Sequence, residues 1–285
     1  MSITLRAGRR SDAEACGRIC YQAFHGIATA HGFPPDFPNV ELAMGVLSML
    51  LAHPKMYTVV ADRDGTIVGS NVLDERSQIA GIGPITVAPE TQNGGVGRAL
   101  MHNVIERASQ QGFPGVRLVQ SAYHTRSLSL YTKLGFDPRE PLACMQGAAL
   151  GVRLPGYGVR RASTDDVATC NDLCRRVHGH TRDGELRDAT GMGTATVVEH
   201  GSRITGYATG IAFFAHAVGE TNTDVKALIA AAPEFGGLGF LVPMRNADLL
   251  RWCLERGLRT VQPMTLMSMG LYNEPAGAYL PSIAF

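Results

Sequence analysis

Residues 92–100 read Gln-Asn-Gly-Gly-Val-Gly-Arg-Ala-Leu, and what flanks them leaves few folds open. An apolar run, residues 82–87, comes before them. After it Val96, Leu100, Val104, Ile105 and Ala108 recur at helical spacing. The stretch is therefore strand, glycine loop, helix. Glycine is required where backbone turns tightly or where a ligand approaches with no Cβ in the way. The N–H groups that open a helix have no internal partners and carry the positive end of its dipole, so they attract phosphate. The local physics describes an anion cradle suited to a pyrophosphate.

Several cofactors carry a pyrophosphate, and the neighbouring residues separate them. A dinucleotide fingerprint, Gly-x-Gly-x-x-Gly, wants an acidic residue about 20 positions later, at the end of the next strand. Here Gly95-x-Gly97 is followed by Arg98, Ala99 and Leu100, and the next expected strand, 116–120, ends without a carboxylate. No Lys-Ser/Thr pair follows the glycines, so the nucleoside triphosphate loop fails too. What fits is Gln-x-x-Gly-x-Gly/Ala, filled by Gln92, Gly95 and Gly97. This resembles the acyl-CoA loop of the GNAT superfamily of N-acyltransferases.

The order of segments in residues 1–150 resembles that family as well. A strand at 3–5 leads to helices at 12–24 and 40–51, separated by a breaker-rich loop at 25–39. A hairpin, 56–61 and 66–73, turns on Asp62-Arg63-Asp64-Gly65. A fourth strand at 79–87, the helix at 95–111, a strand at 116–120 and a helix at 125–134 follow. The resemblance implies that the fourth and fifth strands splay apart, with pantetheine in the gap against the main chain of Ile85, Thr86 and Val87. Pro84 cannot donate in a ladder and suits a strand parting from its neighbour.

The chain repeats itself. Leu5-Arg6 precedes Asp12, Cys16, Ile19 and Cys20 at the spacing by which Val159-Arg160 precedes Asp166, Cys170, Leu173 and Cys174. Ser11-Asp12 and Asp165-Asp166 suit the first turn or cap of a helix in each copy. Residues 130–136, ending Gly135-Phe136, correspond to 252–258, ending Gly257-Leu258, and His124 corresponds to Asn246. With 285 residues there is room for two cores. The expected fold is α/β (α+β): two tandem GNAT-like domains, residues 1–150 and 158–285, each a mixed, mostly antiparallel central sheet flanked by helices. In the second copy one long apolar strand at 204–218 runs into Gly219-Glu220-Thr221-Asn222-Thr223-Asp224, whose carboxylates repel a pyrophosphate. That copy is read as degenerate, with one site in the first.

Net charge is +1, which gives no electrostatic footprint for nucleic acid or an anionic membrane. The apolar runs, such as 211–218, are too short to span a bilayer, and no apolar segment follows Arg6, Arg9 and Arg10 as in a secretory signal. A cytoplasmic protein, monomer or homodimer, is expected. Cys16/Cys20 and Cys170/Cys174 stand at i,i+4; two further ligands would make a metal site, but no partner pairs exist, so core packing and no metal are expected.

What the resemblance implies about residues can be set beside plainer readings. The cradle is the main chain of Gln92, Asn93, Gly94, Gly95, Val96, Gly97, Arg98 and Ala99; the alternative is an ordinary helix cap. Tyr131, within Leu-Tyr-x-Lys-x-Gly-Phe, matches the family's general acid, which protonates the departing CoA thiolate. It also shares a helical face with Ser127 and Leu134 and so has a packing role available. His124 stands where the family usually has Asn, and is either a contact to pantetheine, a base, or a helix-start histidine. The family's glutamate on the fourth strand is missing, since residues 80–84 read Ala-Gly-Ile-Gly-Pro. Glu75, beside Asp74 at the end of the third strand, is a candidate base or water holder; a solvated strand end is the alternative. His25 and His31 lie in the loop that borders the acceptor pocket in the family. The expected activity is transfer of an acetyl group from acetyl-CoA to a primary amine, of a small molecule rather than a basic protein tail, by direct attack. A non-catalytic acyl-CoA-binding or regulatory tandem protein and a nucleotide-binding oxidoreductase are the rivals.

Overall fold

The computed structural model describes residues 3–284. The first half runs β1 (Ile3–Ala7), α1 (Ala13–Ala30), α2 (Val40–Ala52), β2 (Met56–Arg63), β3 (Thr66–Asp74), β4 (Ala80–Ile82), β5 (Thr86–Val87), α3 (Val96–Gln110), β6 (Gly115–Ser121), α4 (Thr125–Lys133) and β7 (Asp137–Gln146). The second runs β8 (Tyr157–Arg161), α5 (Val167–His178), α6 (Asp183–Gly191), β9 (Thr196–His200), β10 (Arg203–Ala208), β11 (Ala217–Gly219), α7 (Asn222–Ala231), β12 (Phe240–Pro243), α8 (Ala247–Glu255), β13 (Arg259–Gly270) and β14 (Ala278–Leu280). Two mostly antiparallel sheets result, the larger one mixed, each flanked by helices, as expected.

The repeat is visible in three dimensions. Arg6 reaches Asp12 through two bonds of 2.7 and 3.0 Å, and Arg160 reaches Asp166 through two of 2.7 and 2.8 Å. Each aspartate also accepts, at 2.7 Å, the main-chain N–H three residues earlier, from Arg9 or Ser163. The helix that follows carries its cysteine pair inward: Cys16 and Cys20 pack with Phe37 and Leu47, Cys170 and Cys174 with Leu173 and Leu186. Burial raises all four thiols above their ordinary range. These are core residues.

The halves do not keep their sheets to themselves. The larger sheet has the order β1-β2-β3-β4-β6-β13-β7-β12, with β5 also on β3, and the smaller β14-β11-β10-β9-β8. β13 lies between β6 and β7, antiparallel to both, while β7 pairs with β12. Since β7 and β13 are equivalent in the repeat, each half has given the strand after its last helix to the other. A single sheet therefore crosses the boundary expected near residue 151. Side chains join the halves too, with Arg76 3.0 Å from Asp188 and Arg245 2.7 Å from Glu140.

Three segments differ from the sequence reading. α1 continues to Ala30 because Ala28 still packs inward, and it stops where Gly32 takes φ +72°. The strand expected at 79–87 is broken into β4 and β5. The strand expected at 204–218 is β10 and β11, separated by a loop that buries Phe213 and His216. Among the described residues, no helix is long and apolar enough to cross a membrane.

Candidate functional site

β4 runs parallel to β6 for only two positions, Ala80 beside Val116 and Gly81 beside Arg117. The strands then part. Beyond Gly83-Pro84 the chain returns to β3 through Thr86 and Val87, and nothing among the described residues pairs with the opposite edge of β5. The gap lies between β5 and β6, where the proline suggested it, and Ile85, Thr86 and Val87 line one side.

At the end of the gap the glycine loop turns into α3. Asn93 takes φ +68° and Gly95 φ +86°, the left-handed region that glycine enters without a Cβ penalty. The first main-chain bond of the helix is Ala99 N–H to Gly95 O, which leaves the amides of Val96, Gly97 and Arg98 without helical partners. There is no acidic residue in the first turn. A Cβ built on Gly97 would stand 3.7 Å from Val87 and 3.8 Å from Leu130, so this face opens between β5 and α4. Gln92 shapes the loop by donating from Nε2 to Val87 O at 3.2 Å.

The sequence reading passed over Arg126. Its guanidinium donates to Gln92 Oε1 at 2.5 Å and Asn93 Oδ1 at 3.2 Å, closing the loop from the first turn of α4. A cation in a first turn opposes the helix dipole. Arg98 and Arg126 both do so, a sequence-level sign that these two helix starts face negative charge. Gln120, also missed, is buried beside α4. Ser127 Oγ is 3.0 Å from its Oε1, and its Nε2 has no hydrogen-bond partner among the described residues. His124 Nε2 is likewise buried and unpartnered, and burial, with Arg126 and His31 near, pushes its imidazole down to about 4. It is neutral at pH 7. Two orphaned polar atoms on the wall of a polar gap fit a ligand that carries amides, and the open amides of α3 fit its phosphates.

Tyr131 sits on α4 at 7% exposure, its ring edge-on to Phe136 with centroids 6.3 Å apart. Burial raises the phenol above its usual value, so it holds its proton. Glu75 takes a different place from the one expected. Arg107 binds both its oxygens, at 2.7 and 3.1 Å, and the guanidinium stacks over Tyr57. Arg107 lies ten residues along α3 from Gly97, about 15 Å at 1.5 Å per residue. Both Glu75 oxygens are thus engaged in an ion pair. Asp74 is not solvated either; it is buried against Arg76.

The equivalent place in the second half is filled. β14 pairs along β11 with Val218 opposite Tyr279, on the side where β5 has no partner. Asp224 closes the start of α7, accepting from Thr221 N–H at 2.8 Å and from the hydroxyls of Thr221 and Thr205. Asn246, the counterpart of His124, exchanges amide bonds of 2.7 and 3.0 Å with Asn222.

Residues 24–136 match the sequence profile of the Acetyltransferase (GNAT) family. A mycothiol acetyltransferase from Streptomyces griseus is 29% identical over 83 residues, a match spanning 28% of this chain and 27% of the relative. Among solved structures, an acetyltransferase-like protein from Pyrococcus horikoshii superposes with a TM-score of 0.74 at 16% identity, covering 97% of this chain and 94% of its own. A GCN5-related N-acetyltransferase from Sphaerobacter thermophilus gives 0.64 at 16% identity over 95% and 96%. A tandem GNAT protein from the clavulanic acid biosynthesis pathway gives 0.57 at 13% identity over 94% and 98%. The chain has the fold of GNAT-superfamily acyltransferases, and its resemblance to a tandem protein runs over nearly its whole length.

Proposed function

We propose that the protein is an acyl-CoA-dependent N-acyltransferase that moves an acetyl group from acetyl-CoA to the primary amine of a small molecule by direct attack. The observation that carries this reading is the open edge of β5 ending at a left-handed, carboxylate-free helix start. The amides of residues 93–99 would receive the pyrophosphate, with Arg98 and Arg126 adding positive charge. Ile85 and Val87 would present main chain to the pantetheine, and Gln120 and His124 would supply polar contacts from the other wall. Tyr131 would protonate the departing sulfur. Residues 1–150 would then be the catalytic domain and 158–285 a degenerate copy, its cleft taken by β14, Asp224 and the Asn222–Asn246 pair.

The six cysteines are buried, which favours direct attack over an acyl-enzyme. The near-neutral net charge favours a small amine over a basic protein tail. A cytoplasmic setting, as a monomer or homodimer, goes with this reading. The test is thermal unfolding with acetyl-CoA, coenzyme A and NADH in parallel. Either CoA species at a hundred times its Kd should add about 2.7 kcal/mol to native-state stability, and NADH nothing. Protection by NADH alone would end the acyltransferase reading.

A further inference from the structure

The proposed transfer needs a group to take the amine's proton. The fourth-strand segment has no carboxylate, and Glu75 is held by Arg107. The loop between α1 and α2, His-Gly-Phe-Pro-Pro-Asp-Phe-Pro-Asn, contains one acidic residue, Asp36. Its prolines limit the backbone, and two aromatic rings pin it at either end. Phe37 is buried with Cys16 and Cys20 under α1, which packs on β5. Phe33 stacks on Tyr123, just beyond β6, with centroids 4.3 Å and planes 8° apart. The loop therefore bridges the two sides of the gap.

Asp36 has neighbours on both sides. Its charge acts on the Cys20 thiol of α1 and, across the gap, on the Tyr123 phenol and the Cys144 thiol of β7. Gln262 of β13, a residue of the second half, faces it and stabilises its anion; the Tyr123 hydroxyl is 3.4 Å from the same Gln262. Gln262 is paired in register with Cys144, which packs with Leu142 and Met264 rather than in the cluster that holds Tyr131. The Gln262 that Asp36 faces and Tyr131 thus lie toward opposite faces of the sheet. Asp36 keeps partial access to solvent, yet protein surrounds it closely enough for desolvation to push its carboxyl up to about 6.

We propose that Asp36 is the proton acceptor of the transfer reaction, positioned by Gln262 from the C-terminal half. This rests on the acyltransferase reading above. The amine nitrogen bonds to the thioester carbon and its proton passes to the Asp36 carboxylate. The carbon–sulfur bond breaks, and the sulfur takes the phenolic proton of Tyr131. Solvent then takes the proton from Asp36 and restores that of Tyr131. A base whose pKa lies near the working pH is both deprotonated and basic enough. The other titratable groups facing it, Cys20, Cys144 and Tyr123, are neutral at pH 7; His31, 5.4 Å from Tyr123, belongs to the same loop.

Slow hydrolysis of acetyl-CoA, with water as acceptor, tests this without knowledge of the amine. Thiol release by the wild-type protein should rise through pH about 6. Asp36→Asn should lower it ~10²-fold with coenzyme A affinity unchanged in calorimetry. Gln262→Leu should move the midpoint to higher pH, since it removes the contact that stabilises the anion. An Asp36→Asn protein as fast as wild type, a midpoint unmoved by Gln262→Leu, or coenzyme A binding with no hydrolysis above buffer overturns the assignment. Wild-type protein that binds no coenzyme A overturns the acyltransferase reading itself, a different result from a bound donor that Asp36 does not affect.

Discussion

Tyr131 and Cys253 occupy matching positions in the two halves, and the phenol is what the second half lacks. Tyr131→Phe keeps the ring against Phe136 and removes only the hydroxyl. Turnover should fall ~10²-fold while coenzyme A affinity and melting temperature hold, as steady-state kinetics, calorimetry and thermal unfolding can check. A second pair of matching residues, Asp12 and Asp166, governs behaviour in acid. Each is held below the usual carboxylate range, first by its arginine's hydrogen bonds. A carboxyl with a depressed folded pKa contributes stability above its unfolded pKa of about 3.9, and this is lost as the pH falls below that. Urea unfolding should therefore weaken below pH about 4. An Asp12→Asn, Asp166→Asn double variant should show a shallower decline there and lose up to about 1 kcal/mol per arginine–aspartate pair at neutral pH. These paired residues were legible in the sequence because their partners lie within a few positions. Arg126 and Asp36 were not, because what they meet is distant in the chain: Gln92 for one, Gln262 for the other.

The glycine loop and its helix were readable for a related reason, since a local run of glycines before a periodic stretch carries its own geometry. Gly97→Val places a branched side chain between β5 and α4, where a Cβ alone meets Val87 and Leu130 at the ordinary contact distances of 3.7 and 3.8 Å. It should leave the melting temperature nearly unchanged, since valine is a slightly better helix former than glycine, by about 0.3 kcal/mol. Coenzyme A affinity should weaken at least tenfold, about 1.4 kcal/mol, in a binding titration. The strands were harder. Residues 79–87 and 204–218 are largely apolar, and hydrophobicity alone does not mark where a ladder stops. In the first case the stop follows Ile82, at Gly83-Pro84; in the second it is a loop whose Phe213 and His216 are themselves buried. The exchange of β7 and β13 left no trace in the pattern, because two copies of one strand offer each other equivalent edges.

That exchange binds the molecule into one cooperative body. With β13 in the middle of the larger sheet, the first half cannot complete its sheet without the second. Calorimetry should show one unfolding transition whose calorimetric and van't Hoff enthalpies agree, and two resolved transitions would contradict the shared sheet. Among the described residues β14 and Asp224 fill, in the second half, the place that is open in the first, and the proposed function assigns one cleft per chain. Isothermal titration of the full chain with coenzyme A tests this most directly. One site per chain is predicted, weakened at least tenfold in Gly97→Val and unchanged in Asp224→Asn. No binding, two sites, or a site whose affinity Gly97→Val leaves unchanged would contradict it.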